Sequence, residues 1–117
     1  MNVSKNDWNK LFNLPLQHSE IKITRKFNQN RMSGIKKGFK PQSMDDRWFI
    51  YYENDILYIH RSWSGYCIYE IHFIKKGNSY ETVKFLVNRD IEQYKYIDDE
   101  YDIKQINQFL EMLILNK

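Results

Sequence analysis

Cysteine is all but missing from this chain. Cys67 stands alone, which excludes an internal disulfide and a paired-cysteine metal site. A lone thiol fits a reducing compartment, so a cytoplasmic location is expected. His18, His60 and His72 are dispersed and show no metal-ligand spacing, so no metal and no cofactor is expected. Glycine and proline are scarce, at four and two residues. Neither a Walker loop nor a Gly-x-Gly-x-x-Gly turn is present. No Gly-x-Ser-x-Gly elbow surrounds Ser62 or Ser64, which argues against a serine nucleophile. No apolar run approaches the ~20 residues that span a bilayer, so no membrane partner is expected. Residues 1–7 lack the apolar core of a secretory leader.

Aromatic residues are what the chain has in excess, with nine Tyr, seven Phe and three Trp. The 42% apolar and 28% charged content is ordinary for a globular domain, and 117 residues allow one modest core, so a single domain over 1–117 is expected. The net charge of +3 hides an asymmetry. Residues 21–44 carry Lys22, Arg25, Lys26, Arg31, Lys36, Lys37 and Lys40 and no acid. Residues 90–102 carry Asp90, Glu92, Asp98, Asp99, Glu100 and Asp102 against Lys95 alone. Such a split marks either an anion-binding arm or two solvated patches that face each other.

Ser4-Lys5-Asn6-Asp7 resembles a capping box, and Trp8, Leu11 and Phe12 follow at helical spacing, predicting a short helix over 5–13. Alternation of Ile21, Ile23 and Phe27 with Lys22, Thr24 and Lys26 predicts a strand over 20–27. Residues 28–44 read as a long basic loop, because Asn, Ser, Gly and Pro punctuate them. Asn54-Asp55, Ser64-Gly65 and the break at Gly77 separate predicted strands at 47–53, 56–63, 66–75 and 80–88. Ile103, Ile106, Phe109, Leu110, Leu113 and Ile114 form one stripe, predicting a helix over 102–115. The expected fold is α+β: a mainly antiparallel sheet of four or five strands, with the C-terminal helix packed on one face and a short N-terminal helix.

The turns set the pairing. A loop at Asn54-Asp55 opposes Glu53 to Ile56, Tyr51 to Tyr58 and Trp48 to Arg61. A loop at Ser64-Gly65 opposes Trp63 to Tyr66, Arg61 to Ile68 and Ile59 to Glu70. Directly opposed residues share a face. The face holding Phe49, Tyr51, Ile56, Tyr58, His60, Cys67, Tyr69, Ile71 and Phe73 is then expected to meet the C-terminal helix. The other face, with Trp48, Ile50, Tyr52, Leu57, Ile59, Arg61, Trp63, Tyr66, Ile68, Glu70 and His72, is mixed and is expected to be open.

Arg61 reads as an anion clamp between Trp48 and Trp63, against the plainer reading of a cation–π stack or an ion pair with Glu70. His60 on an apolar face is more often a satisfied core residue than a base. Asp45-Asp46 and Asp98-Asp99-Glu100 precede regular elements, where acids usually cap. Cys67 in mid-strand reads as inert. Ser33-Gly34-Ile35-Lys36-Lys37-Gly38 offers a weak phosphate-wrapping pattern. No residue is assigned a catalytic role.

Asp45-Asp46-Arg47-Trp48-Phe49-Ile50-Tyr51 and Leu57-Tyr58-Ile59-His60-Arg61-Ser62-Trp63-Ser64-Gly65-Tyr66-Cys67-Ile68-Tyr69, with Val87-Asn88-Arg89-Asp90, Gln93-Tyr94 and Asp98-Asp99-Glu100-Tyr101-Asp102, resemble a pattern in small uncharacterised bacterial and phage proteins. The resemblance covers roughly residues 44–115. It brings an association with ADP-ribose-type nucleotide biology and no established activity. Together the readings favour a non-enzymatic binding module for a phosphate-bearing, nucleotide-like small molecule. Trp48, Trp63 and Tyr66 would hold the base, and Arg61, Arg89, Lys36 and Lys37 the phosphate. In a phage product, such a pocket could sequester a host nucleotide signal. The alternatives are a protein-interaction or inhibitor domain using the aromatic face, and a small enzyme acting on a nucleotide-derived ligand with His60 or an Asp pair as acid–base. Self-association stays open, and direct nucleic-acid binding ranks last.

Overall fold

Six antiparallel strands and two helices make up the computed structural model, which describes residues 2–115. The elements are β1 (His18–Lys22), β2 (Lys26–Asn28), α1 (Gln29–Lys37), β3 (Trp48–Glu53), β4 (Ile56–Arg61), β5 (Cys67–Lys76), β6 (Ser79–Asn88) and α2 (Asp99–Leu115). The sheet order is β1-β6-β5-β4-β3, and β2 also pairs with β6. The fold is α+β with an antiparallel sheet, as the alternation and the C-terminal stripe predict. The strand expected over 20–27 is two strands on one edge of β6. They are separated where Thr82 Oγ1 donates to the Ile23 carbonyl and accepts from the Arg25 amide.

The β3–β4 hairpin has the expected register, Glu53 against Ile56, Tyr51 against Tyr58 and Trp48 against Arg61. Asn54 and Asp55 both take positive φ, 53° and 63°, as a two-residue hairpin loop of the favoured twist requires. The β4–β5 pairing differs from expectation. Its turn runs from Ser62 to Gly65, closed by Gly65 N–H donating to the Arg61 carbonyl at 2.9 Å. A bulge between Ile59 and His60 then shifts the register, so Ile59 opposes Tyr69 and Tyr58 opposes Glu70.

The expected faces are exchanged in β3 and β4. Ile50, Leu57, Ile59, Tyr69, Ile71 and Phe73 join Phe85 and Val87 in the core beneath the helices, with Trp48 and Tyr52 packed against it. From α2, Ile106, Phe109, Leu110, Leu113 and Ile114 fill the other side of that core. Phe49, Tyr51, Tyr58 and His60 occupy the opposite face, which the N-terminal segment covers rather than a helix. Trp8 stacks on Phe49 at 5.4 Å, and Phe12 N–H donates to the Gly65 carbonyl at 2.9 Å. The helix expected over 5–13 is therefore corrected to a single 3-10 turn, Lys5–Asp7. The Asp7 carboxylate does reach back to the Ser4 amide at 2.8 Å, but Trp8, Leu11 and Phe12 are used by an extended strap.

The long loop expected over 28–44 is also corrected. Most of its first half is α1, capped by the Asn28 side chain accepting from the Arg31 amide at 2.8 Å. Met32, Gly34 and Ile35 are buried against α2. Gly34 permits the close crossing, because a Cβ there would lie 2.9 Å from the Leu113 carbonyl oxygen. No helix among the described residues is long and apolar enough to cross a membrane.

Candidate functional site

The β4–β5 turn and the connection between β6 and α2 meet at one end of the sheet and leave a cleft of about 510 Å3. Arg47, Arg61 and Lys95 line it, with Trp63, Tyr66, Tyr94 and Tyr96, and Ser64 and Gln93 complete the wall. No carboxylate is among these lining residues. Among the described residues, neither Arg47 nor Arg61 forms an ion pair within 4.0 Å. The cleft therefore presents uncompensated positive charge beside aromatic rings, a surface suited to a planar anion.

Each wall has a local cause. Arg61 ends β4 on the helical side of the sheet and lies 4.5 Å over the Trp48 ring. Trp48 in turn meets Phe109 edge-on at 4.9 Å. Trp48 thus sits under Arg61 and does not itself line the cleft. Trp63 is 68% exposed, and its indole N–H donates to the Met44 carbonyl at 3.1 Å. Arg47 lies 5.8 Å over the Trp63 ring. Ser62 ties the turn to the start of β3, its amide donating to the Arg47 carbonyl and its hydroxyl to the Asp46 carbonyl.

A buried polar network holds the opposite wall. Asp102 is fully buried at the start of α2, and Tyr69 and Tyr94 each donate to its Oδ1 at 2.7 Å. Burial raises both phenols well above their ordinary pKa, so both keep their protons and act as donors. Arg89 donates to Asp102 Oδ2 at 2.6 Å, to Asp99 at 2.9 Å and to the Tyr96 carbonyl at 3.2 Å. Asn88 bridges the Cys67 carbonyl and the Gln93 side chain. This network fixes Gln93, Tyr94 and Tyr96 against the sheet.

Of the residues singled out in the sequence, the structure brings Arg61, Trp63 and Tyr66 together in the cleft. Arg89 is spent on the carboxylates that hold the wall. Lys36 donates to the Tyr80 hydroxyl at 2.7 Å and lies 4.4 Å over that ring, and neither it nor Lys37 lines the cleft. Glu70 belongs to the other face of the sheet, so it is no partner for Arg61. Asp98 accepts from the amides of Glu100 and Tyr101 as a helix cap. The Cys67 thiol is buried and pushed to high pKa by that burial. Among the described residues, no group of three His, Cys, Asp or Glu is placed to hold a metal ion. Sequence reasoning missed Arg47, Tyr94, Lys95 and Tyr96. The signal for the last three was the Tyr-Lys-Tyr triplet inside an otherwise acidic stretch.

No family model matches the chain, and no curated protein or solved structure matches it.

Proposed function

We propose that the chain is a non-enzymatic binding module for a phosphate-bearing, nucleotide-like small molecule, held in the cleft between the β4–β5 turn and the β6–α2 connection. One observation carries the reading: Arg47, Arg61 and Lys95 converge with four aromatic rings on a cleft that no carboxylate lines. A guanidinium meets phosphate through its planar fork, and a ring face takes a base. The cleft volume lies within the range of small-ligand sites, about 300–1,000 Å3. A cytoplasmic setting belongs to the same reading and rests on the lone, buried thiol of Cys67.

A protein partner is the second reading. It is favoured by the exposure of Trp63, Tyr96 and Ile97, at 68%, 50% and 71%, on and beside the same cleft. The deciding experiment is native mass spectrometry of protein expressed in its natural host, followed by calorimetric titration with AMP, ADP-ribose, adenosine and inorganic phosphate. A co-purifying nucleotide mass, with AMP or ADP-ribose binding more tightly than adenosine or phosphate alone, supports the small-ligand reading. A co-purifying polypeptide with no saturable nucleotide binding overturns it in favour of the second.

A further inference from the structure

The N-terminal strap and the outer face of the sheet border a second, open cavity, about 340 Å3, with the opposite chemistry. Trp8 and Phe12 from the strap and Tyr51 and Tyr58 from β3 and β4 line it with aromatic rings. Glu53 and Glu70 supply carboxylates. Tyr51 and Tyr58 stack with centroids 4.8 Å apart and planes 14° from parallel. The Glu70 side chain is only 17% exposed. Its Oε1 lies 3.3 Å from His72 Nε2, and its other oxygen has no hydrogen-bond partner among the described residues. Lys5 is the one Lys or Arg on this lining, and it stands 3.9 Å from Glu53, beyond hydrogen-bonding distance. Lys5 thus pairs with Glu53, and among the described residues Glu70 has no Lys or Arg partner.

His60 gives the independent observation. It lines the same cavity and is 3% exposed. Its Nδ1 lies 3.0 Å from the Gly65 carbonyl, which can only accept, so Nδ1 carries the proton. Nε2 is then a buried lone pair, and nothing donates to it. Burial holds the ring below its ordinary pKa, so it is neutral and an acceptor. Burial first, and then Glu70 and Glu53, raise the Tyr58 hydroxyl above its ordinary value, so it keeps its proton.

We propose that this cavity is a site for a primary alkylammonium, such as the end of a polyamine, with the charge on Glu70, an N–H donated to His60 Nε2, and the alkyl chain among Trp8, Phe12, Tyr51 and Tyr58. Ring faces attract cations, and the carboxylates exclude anions. A quaternary ammonium would suit the rings but brings no donor for His60. The site is independent of the cleft proposed above, on the other face of the sheet.

Putrescine is the probe, titrated into the full-length chain and followed by calorimetry and by NMR of the Tyr and His ring protons. Saturable binding is expected, with perturbations at Tyr51, Tyr58 and His60, and with tetramethylammonium weaker than putrescine. Glu70→Gln is expected to weaken putrescine at least tenfold, while Arg61→Lys leaves it unchanged. Absence of saturable putrescine binding overturns the proposal. So does binding that perturbs other rings instead, a map that requires no variant to fold. Putrescine binding that persists in a folded Glu70→Gln protein overturns it too.

Discussion

Arg61 lies 4.5 Å over the ring of Trp48 while also lining the cleft, so one guanidinium faces both a core aromatic and solvent. A planar cation in that position is pre-oriented for a second planar or forked partner on its free side. The same stack gives Arg61 a structural share that an open-face arginine would lack.

Arg61→Lys is accordingly expected to separate two effects. Loss of the fork should weaken a phosphate-bearing ligand about tenfold or more, since charge-assisted hydrogen bonds contribute roughly 1.5–3 kcal/mol. Loss of the stack should lower stability by only about 0.5–1 kcal/mol. Calorimetry with AMP and a urea melt measure the two separately. Undiminished AMP binding in a folded variant would leave Arg61 as a structural cation over Trp48 only.

Asp102→Asn tests the network behind the opposite wall. The change keeps the shape and one acceptor but leaves Arg89, whose side chain is 11% exposed, facing a neutral amide. Removing one partner of a buried pair costs about 3–5 kcal/mol. Asp99, 66% exposed, offers Arg89 a remaining partner, so the lower end of that range is expected from urea denaturation. Ligand affinity should fall as well, because Tyr94 and Tyr96 lose their anchor. A loss under about 1 kcal/mol, the scale of a surface pair, would show that the network is dispensable.

The β3–β4 hairpin and α2 were legible for local reasons. Asn54-Asp55 permits one loop geometry, and the stripe from Ile103 to Ile114 has a single period. The faces were not legible, because both are covered. Phe49 and Tyr51 pack under the strap as Ile50 and Tyr52 pack under the helices, so alternation carries no polar side to read. α1 was hidden because its buried set is only Met32, Gly34 and Ile35, too small for a stripe. Arg61, Trp63 and Tyr66 could be read as a site because one turn brings them together. Tyr94, Lys95 and Tyr96 reach it through Asp102 and Arg89, contacts that no spacing in the sequence announces.

Gly34→Ala sets helix propensity against packing. Alanine in the middle of α1 should gain about 1 kcal/mol over glycine. The new Cβ would sit 2.9 Å from the Leu113 carbonyl oxygen and 3.2 Å from Ile114 Cα, both backbone atoms that cannot swing aside. Overpacking of that kind costs about 1–3 kcal/mol, so a net loss is expected. An increase in melting temperature would show that α1 and α2 part without cost.

Stability should depend on pH through His60. Burial depresses its pKa in the folded chain below the ordinary 6.5. The unfolded chain therefore binds the proton more readily, and stability falls as pH drops below about 6.5. The fall levels off below the folded pKa, where both states are protonated. Above about 7.5 the contribution is complete and flat, since both states are then neutral. Glu20, Glu81 and Glu111 have lowered pKa values from their pairing with Lys84, Lys76 and Arg25. They also lose stability on acidification, but below their ordinary 4.5, a separate window. Urea midpoints for the native chain and for His60→Gln, taken between pH 7.5 and pH 5, isolate the histidine. The difference between the two proteins should shrink as pH falls, because only the native chain loses stability through this group. A difference that stays constant over that interval would mean that His60 titrates alike in both states.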